Sequence, residues 1–204
     1  MGSLSTDAAV YALGAVALSI GLVALLHRLE PEFDPAWRML SEYSLGRYGA
    51  LMRLAFIAAA TAVIAVAIAL PAAARPWDLA LVIVAVGPLG AAFIDTDPIT
   101  TPRADMSRRS DVHAVLGSLF ILGFPVAATV TGISAAGDAA VGPVLAWLSA
   151  APWAALAWFL GTSIRYAPPD GVASPLVRIG WPNRVSMLVY LGWVASAAAL
   201  ALRP

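Results

Sequence analysis

Three short stretches of this chain hold most of the side chains that could do chemistry. Asp95-Thr96-Asp97-Pro98 offers two carboxylates, and Arg108-Arg109-Ser110-Asp111-Val112-His113 ends in one of only two histidines. Ser41-Glu42-Tyr43 adds a hydroxyl, a carboxylate and a phenol, with Arg53 ten residues beyond. An imidazole beside carboxylates can act as a general base, with His113 taking a proton while Asp95 and Asp97 hold a metal or orient the ring. The same groups with arginine can instead bind a phosphate or another small polar ligand. Each stretch also has a plainer reading. Arg53 can snorkel to headgroups, Asp-x-Asp can cap and solvate a loop, and His113 can be a structural histidine.

Other chemistries are excluded or poorly supported. There is no cysteine, so disulfides, thiolate nucleophiles and zinc–thiolate or iron–sulfur sites are out. All 12 basic residues are arginine, so no lysine nucleophile or Schiff base is available. The net charge is zero and no nucleic-acid-binding patch is present. A bis-histidine haem on His27 and His113 would sit at the membrane surface on very thin support. A multi-histidine zinc hydrolase lacks the histidines. The pattern identifies no cofactor and leaves the presence of a metal open.

These residues must be positioned by a hydrophobic scaffold. The chain is 61% hydrophobic and 12% charged, with mean hydropathy +0.84; soluble domains carry roughly 25% charged residues. A bilayer accounts for that composition. A spanning helix needs about 20 mostly apolar residues, and six segments reach or approach that: 8–26, 49–70, 77–94, 112–133, 141–162 and 185–202. The expected fold is therefore all-α, a single polytopic membrane domain over 1–204 built as a six-helix bundle. The first segment has no preceding basic residue and reads as a retained helix rather than a signal peptide. Gly87-Pro88 should kink the third segment, and Pro125 and Pro152 should bend the fourth and fifth. Gly14, Gly21, Gly117, Gly123, Gly132, Gly161 and Gly192 suggest close helix packing. An inverted-repeat transporter would need matching broken helices, and Gly87-Pro88 has no counterpart in the sixth segment.

Charge distribution orients the bundle. Connections 27–48, 95–111 and 163–184 carry nine arginines, whereas the opposite side has only Arg75 and Arg203. By the positive-inside rule those connections are cytoplasmic and both termini extracytoplasmic, in a cell membrane. Nine of the 12 acids fall in the same connections, which the rule does not require; longer loops that simply hold more polar residues would explain it, and so would a polar site on that face. Asp34-Pro35 reads as a helix start. The spacing of Trp37, Leu40 and Tyr43 or Ser44 then predicts a short interfacial amphipathic helix from Pro35 to Ser44. Ser110 or Asp111 should cap the fourth helix, placing His113 in its first turn.

The run Trp37-Arg38-Met39-Leu40-Ser41-Glu42-Tyr43-Ser44-Leu45-Gly46-Arg47-Tyr48-Gly49, followed by Met52, resembles the Ser-Glu-Tyr … Gly … Tyr-Gly hallmark of a membrane family known as domain of unknown function 998. Phe93-Ile94-Asp95-Thr96-Asp97-Pro98 resembles the family's pattern at the end of the third helix, and His113 in the fourth continues the match. The resemblance implies a multi-pass bacterial or archaeal membrane protein. It singles out Ser41, Glu42, Tyr43, Gly49, Asp95, Asp97 and His113, and it implies no activity.

Residues and resemblance nominate the same face. The expected site is one polar cluster of Ser41, Glu42, Arg53, Asp95, Asp97 and His113, with Tyr43 beside it. The favoured reading is a non-enzymatic protein binding a lipid headgroup or small polar ligand there. The alternative is a membrane-embedded hydrolase or transferase acting on a lipid, with His113, Asp95 and Asp97 as its catalytic residues. Membrane lipid is the expected partner, and no protein partner can be identified.

Overall fold

Proline sets several helix boundaries, as it must where the backbone loses a donor. In the computed structural model, which describes residues 3–70, 78–135, 141–168 and 172–203, α1 runs Ser3–Leu29 and stops just before Glu30-Pro31. Next come α2, Gly49–Ala69, and α3, Asp78–Ala91. After them come α4, Arg108–Ser134, α5, Gly142–Leu148, α6, Ala150–Arg165, and α7, Gly180–Ala201. Two short 3₁₀ turns, Leu40–Leu45 and Arg103–Asp105, lie in the first and third connections. No strand occurs among the described residues.

Four helices, α1, α2, α4 and α7, and the combined stretch Gly142–Arg165 are long and apolar enough to cross a bilayer. Over the 14 residues described, α3 rises about 21 Å, against a hydrocarbon core of about 30 Å. The expected fifth helix is broken rather than bent. Pro152 has no amide to bond Leu148, so α5 ends at that residue. At the break, the Ser149 hydroxyl donates to the Leu145 carbonyl at 2.8 Å and accepts from Trp193 Nε1 at 3.1 Å.

The bundle is apolar on the outside. Trp147, Val115, Ile164, Leu4 and Ile133 are exposed, while alanines dominate the buried face of α2. Large apolar side chains outward and small ones on the buried face of α2 suit lipid, where close backbone approach replaces hydrophobic burial as the packing force. Of the glycines expected to serve this purpose, two do so. A Cβ at Gly132 would meet Ala146 N at 2.8 Å, and one at Gly123 would meet Val84 Cγ1 at 2.8 Å. Gly14, Gly21, Gly117, Gly161 and Gly192 face open space.

Helix α1 packs on α2 and α7, α2 on α3, α3 on α4, and α6 on α7. Aromatic rings fill the centre: Phe124 stacks on Tyr190 at 4.7 Å, with Phe120 and Trp193 edge-on to them. Pro125 deprives the Ile121 carbonyl of its helical donor, and the Tyr190 hydroxyl supplies one at 2.9 Å.

The first connection departs from the expected amphipathic helix. Asp34 caps only a turn, its Oδ1 accepting from Ala36 N at 2.8 Å. Met39 is extended, and the 3₁₀ turn Leu40–Leu45 follows, with Leu40, Glu42, Tyr43 and Ser44 buried. The cause is tertiary. Gly180 enters α7 directly against this segment, its amide donating to Ala36 O at 3.2 Å. A Cβ at 180 would collide with the Pro35 carbonyl. A continuous helix at 35–44 would have no room there.

Candidate functional site

Glu42 sits at the centre of the face where the first, third and fifth connections meet. Its side chain is fully buried and holds three donors. Oε2 accepts from Met39 N at 2.8 Å, closing the start of the 3₁₀ turn as a capping-box glutamate does. Oε1 accepts from Ile99 N at 3.0 Å, tying in the third connection, and pairs with Arg38 Nη2 at 3.0 Å. Burial raises Glu42 above its ordinary value of 4.5, opposed by the Ile99 and Met39 amides and by the nearby positive charge of Arg38 and Arg184.

Arg184, one turn inside α7 and 3% exposed, is the second centre. Nε donates to His27 Nε2 at 2.8 Å, and Nη1 donates to the Arg38 and Gly180 carbonyls at 2.6 and 3.1 Å. His27 Nδ1 lies 2.7 Å from the Val23 carbonyl. A carbonyl only accepts and the arginine Nε only donates, so His27 is the neutral tautomer with its proton on Nδ1. The guanidinium also lies over the Tyr43 ring at 5.6 Å. Tyr43 in turn packs against His27 and Phe33. Asn183 Oδ1 accepts from Leu40 N at 3.0 Å, fixing the 3₁₀ turn to α7.

Four nitrogen or oxygen atoms in this region are buried without a hydrogen-bond partner: Arg184 Nη2, Arg38 Nε, Glu30 Oε2 and Ser44 Oγ. Buried polar groups are nearly always satisfied, so each of the four calls for an explanation.

The other expected residues form a separate, shallower clasp. Arg53 Nη2 reaches both oxygens of Asp95 at 2.9 and 3.0 Å, with side chains 42% and 28% exposed. This pair neutralises the carboxylate just beyond the end of α3. Asp97 Oδ2 accepts from Ser107 N at 2.6 Å, and Asp97 N donates to Ser110 Oγ at 3.1 Å. His113 is buried, with Nδ1 2.5 Å from the Ile94 carbonyl, and its ring meets Phe56 edge-on at 6.5 Å. The cap of α4 is Ser107, whose hydroxyl accepts from Ser110 N, not Ser110 or Asp111. His113 therefore lies beyond the first turn, outside the strongest part of the dipole.

The expected single cluster is thus resolved into two. Glu42 and Tyr43 belong to the inner one, with Ser41 on the same turn. Arg53, Asp95, Asp97 and His113 belong to the clasp, and Ile99 N on Glu42 joins the halves. Among the described residues, no three of His, Asp or Glu gather as metal ligands. Reading the sequence for a site missed Arg184, Arg38, Asn183 and Glu30, and treated His27 only as a haem ligand. The available signal was Asn183-Arg184 inside a spanning helix, since charge at membrane depth is a functional candidate by default.

Over residues 12–200 the chain matches the family described as Protein of unknown function (DUF998), and it belongs to that family. No curated protein and no solved structure matches it.

Proposed function

We propose that this DUF998 member is a six-span protein of the cell membrane, one polytopic domain with both termini extracytoplasmic, that binds a small anionic ligand at its cytoplasmic face. The ligand class is a phosphate, carried by a lipid headgroup. The observation behind this reading is a pair of buried guanidinium nitrogens, Arg184 Nη2 and Arg38 Nε, that meet no acceptor in hydrogen-bond geometry, although the rings of Tyr43, Phe33 and Trp37 lie against these groups and Tyr43 interacts with Arg184. An uncompensated buried donor is costly, and arginine is the side chain best suited to phosphate. Arg38 keeps 16% of its side chain exposed, which offers the way in. Ser41, Glu42 and Tyr43 form the surrounding wall, and Arg53, Asp95, Asp97 and His113 hold the third connection beside it.

The spanning arrangement counts α3 and the broken α5–α6 stretch as one crossing each. The short 3₁₀ segment then lies at the cytoplasmic boundary. Single cysteines at Ser3 and Ala104 should label from opposite sides; labelling from one side rejects the arrangement.

Binding is tested by thermal unfolding in nanodiscs of phosphatidylcholine with and without phosphatidylglycerol, and in detergent with added inorganic phosphate. The anionic lipid or phosphate should raise the midpoint. Arg38→Lys, which keeps the charge but loses Nε, should blunt the rise. Equal midpoints in all conditions reject the reading.

The hydrolase or transferase reading rests on one observation. With Nδ1 turned to the Ile94 carbonyl, a neutral His113 presents the Nε2 lone pair a base needs. Against it, Asp95 and Asp97 are engaged by Arg53 and Ser107.

A further inference from the structure

Glu30 takes no part in the anion site, and its surroundings differ from those of the arginines. It follows the last residue of α1 and is 1% exposed. Oε1 accepts from Tyr48 N, the residue preceding α2, at 2.6 Å. Oε2 has no partner. The carboxylate lies where any side chain at position 46 would have to be, since a Cβ on Gly46 would collide with both of its oxygens. Gly46 has an ordinary extended backbone, φ −79°, so what the glycine supplies is space. Two residues before it, Ser44 is 6% exposed and its hydroxyl also has no partner.

We propose that Glu30 Oε2 and Ser44 Oγ are two ligands of a buried monovalent cation of the sodium class. Both are hard oxygen acceptors, the donor type that selects alkali and alkaline-earth ions over transition metals. One carboxylate matches a single positive charge, and no group of three acids, histidines or cysteines is present among the described residues to hold a higher one. Among the described residues no arginine forms an ion pair with Glu30. The C-terminal end of α1 adds its own partial negative charge. A cation there satisfies two acceptors that each would otherwise be buried at a cost. It also fastens the end of α1 to the loop that starts α2.

The test is thermal unfolding in neutral detergent, with sodium chloride exchanged for choline chloride at constant ionic strength. A ligand at 100 times its Kd should lift the midpoint of a chain this size by roughly 5–10 °C. The wild type should show a saturable rise with sodium. Ser44→Ala removes a hydroxyl that bonds nothing else and should fold normally with the rise reduced. Glu30→Gln keeps an acceptor for Tyr48 N and should lose the rise. Radioactive sodium retained by the wild type and released by Ser44→Ala would agree. Identical wild-type midpoints in the two salts overturn the proposal, leaving an ordered water as the occupant. So does a sodium response that persists in Ser44→Ala. Neither readout depends on phosphate or lipid charge, so this proposal and the anion site fail separately.

Discussion

The inner cluster and the outer clasp lie on the same face and use the same residue types, an arginine with a carboxylate and a histidine turned to a backbone carbonyl. Their surroundings differ. Around Glu42 the acid is fully buried, and its partners come from its own turn and from a residue 57 positions away. Around Asp95 both members of the ion pair are partly in solvent. Coulomb attraction is strong where water is excluded and weak where it is not, but so is the cost of removing a charge from water. The inner cluster is therefore a place where each partner is needed because the others are buried. The Arg53–Asp95 pair of the clasp is a place where water can replace either partner.

The largest effect should come from breaking the inner cluster. Glu42→Ala leaves the Ile99 and Met39 amides and the Arg38 guanidinium without their acceptor. It should cost about 3–5 kcal/mol, the range for removing one partner of a buried pair, read by thermal or denaturant unfolding in detergent. A loss as small as that of a surface pair would show that water reaches Glu42 and would erase the contrast.

The next effect is a slope. Burial raises Glu42 above 4.5 in the folded chain, so the folded state holds its proton more tightly than the unfolded one. This contribution to stability is fully present below pH 4.5 and is lost as pH rises through the raised folded value. Unfolding followed from pH 4 upward should show that decline in the wild type and a flatter curve in Glu42→Gln. Parallel curves would mean that the amides and Arg38 cancel the effect of burial, and a wild-type curve that rises instead would mean that they outweigh it.

The smallest effect belongs to the clasp. Arg53→Gln should cost roughly 0.2–1 kcal/mol, less at high salt, as half-exposed pairs do. A loss comparable to that of Glu42→Ala would make the two regions one cooperative unit, joined through Ile99.

Much of this molecule is legible in its sequence. Long apolar runs bounded by Leu70-Pro71 and Trp181-Pro182 already dictate helices, because a backbone in lipid must satisfy itself. The arginines and acids concentrated in three connections already mark one face as polar. Local rules go astray where a distant segment intrudes. Asp34-Pro35 is a sound helix start, yet Gly180, packed on the Pro35 and Arg38 backbone, turns the helix into an extended residue and a 3₁₀ turn. Pro152 was legible as a bend, but the break at Ser149 also relies on Trp193 from α7. The candidate site shows the same division. Sequence alone determined which residue types gather at one end of the bundle, since hydropathy and charge are properties of segments. Only the tertiary structure decided that Glu42 meets Ile99, that Arg184 meets His27 across 157 residues, and that Asp95 and His113 stay outside. Those pairings depend on which helix faces which, and burial, which decides what each charge is worth, exists only once the helices have packed.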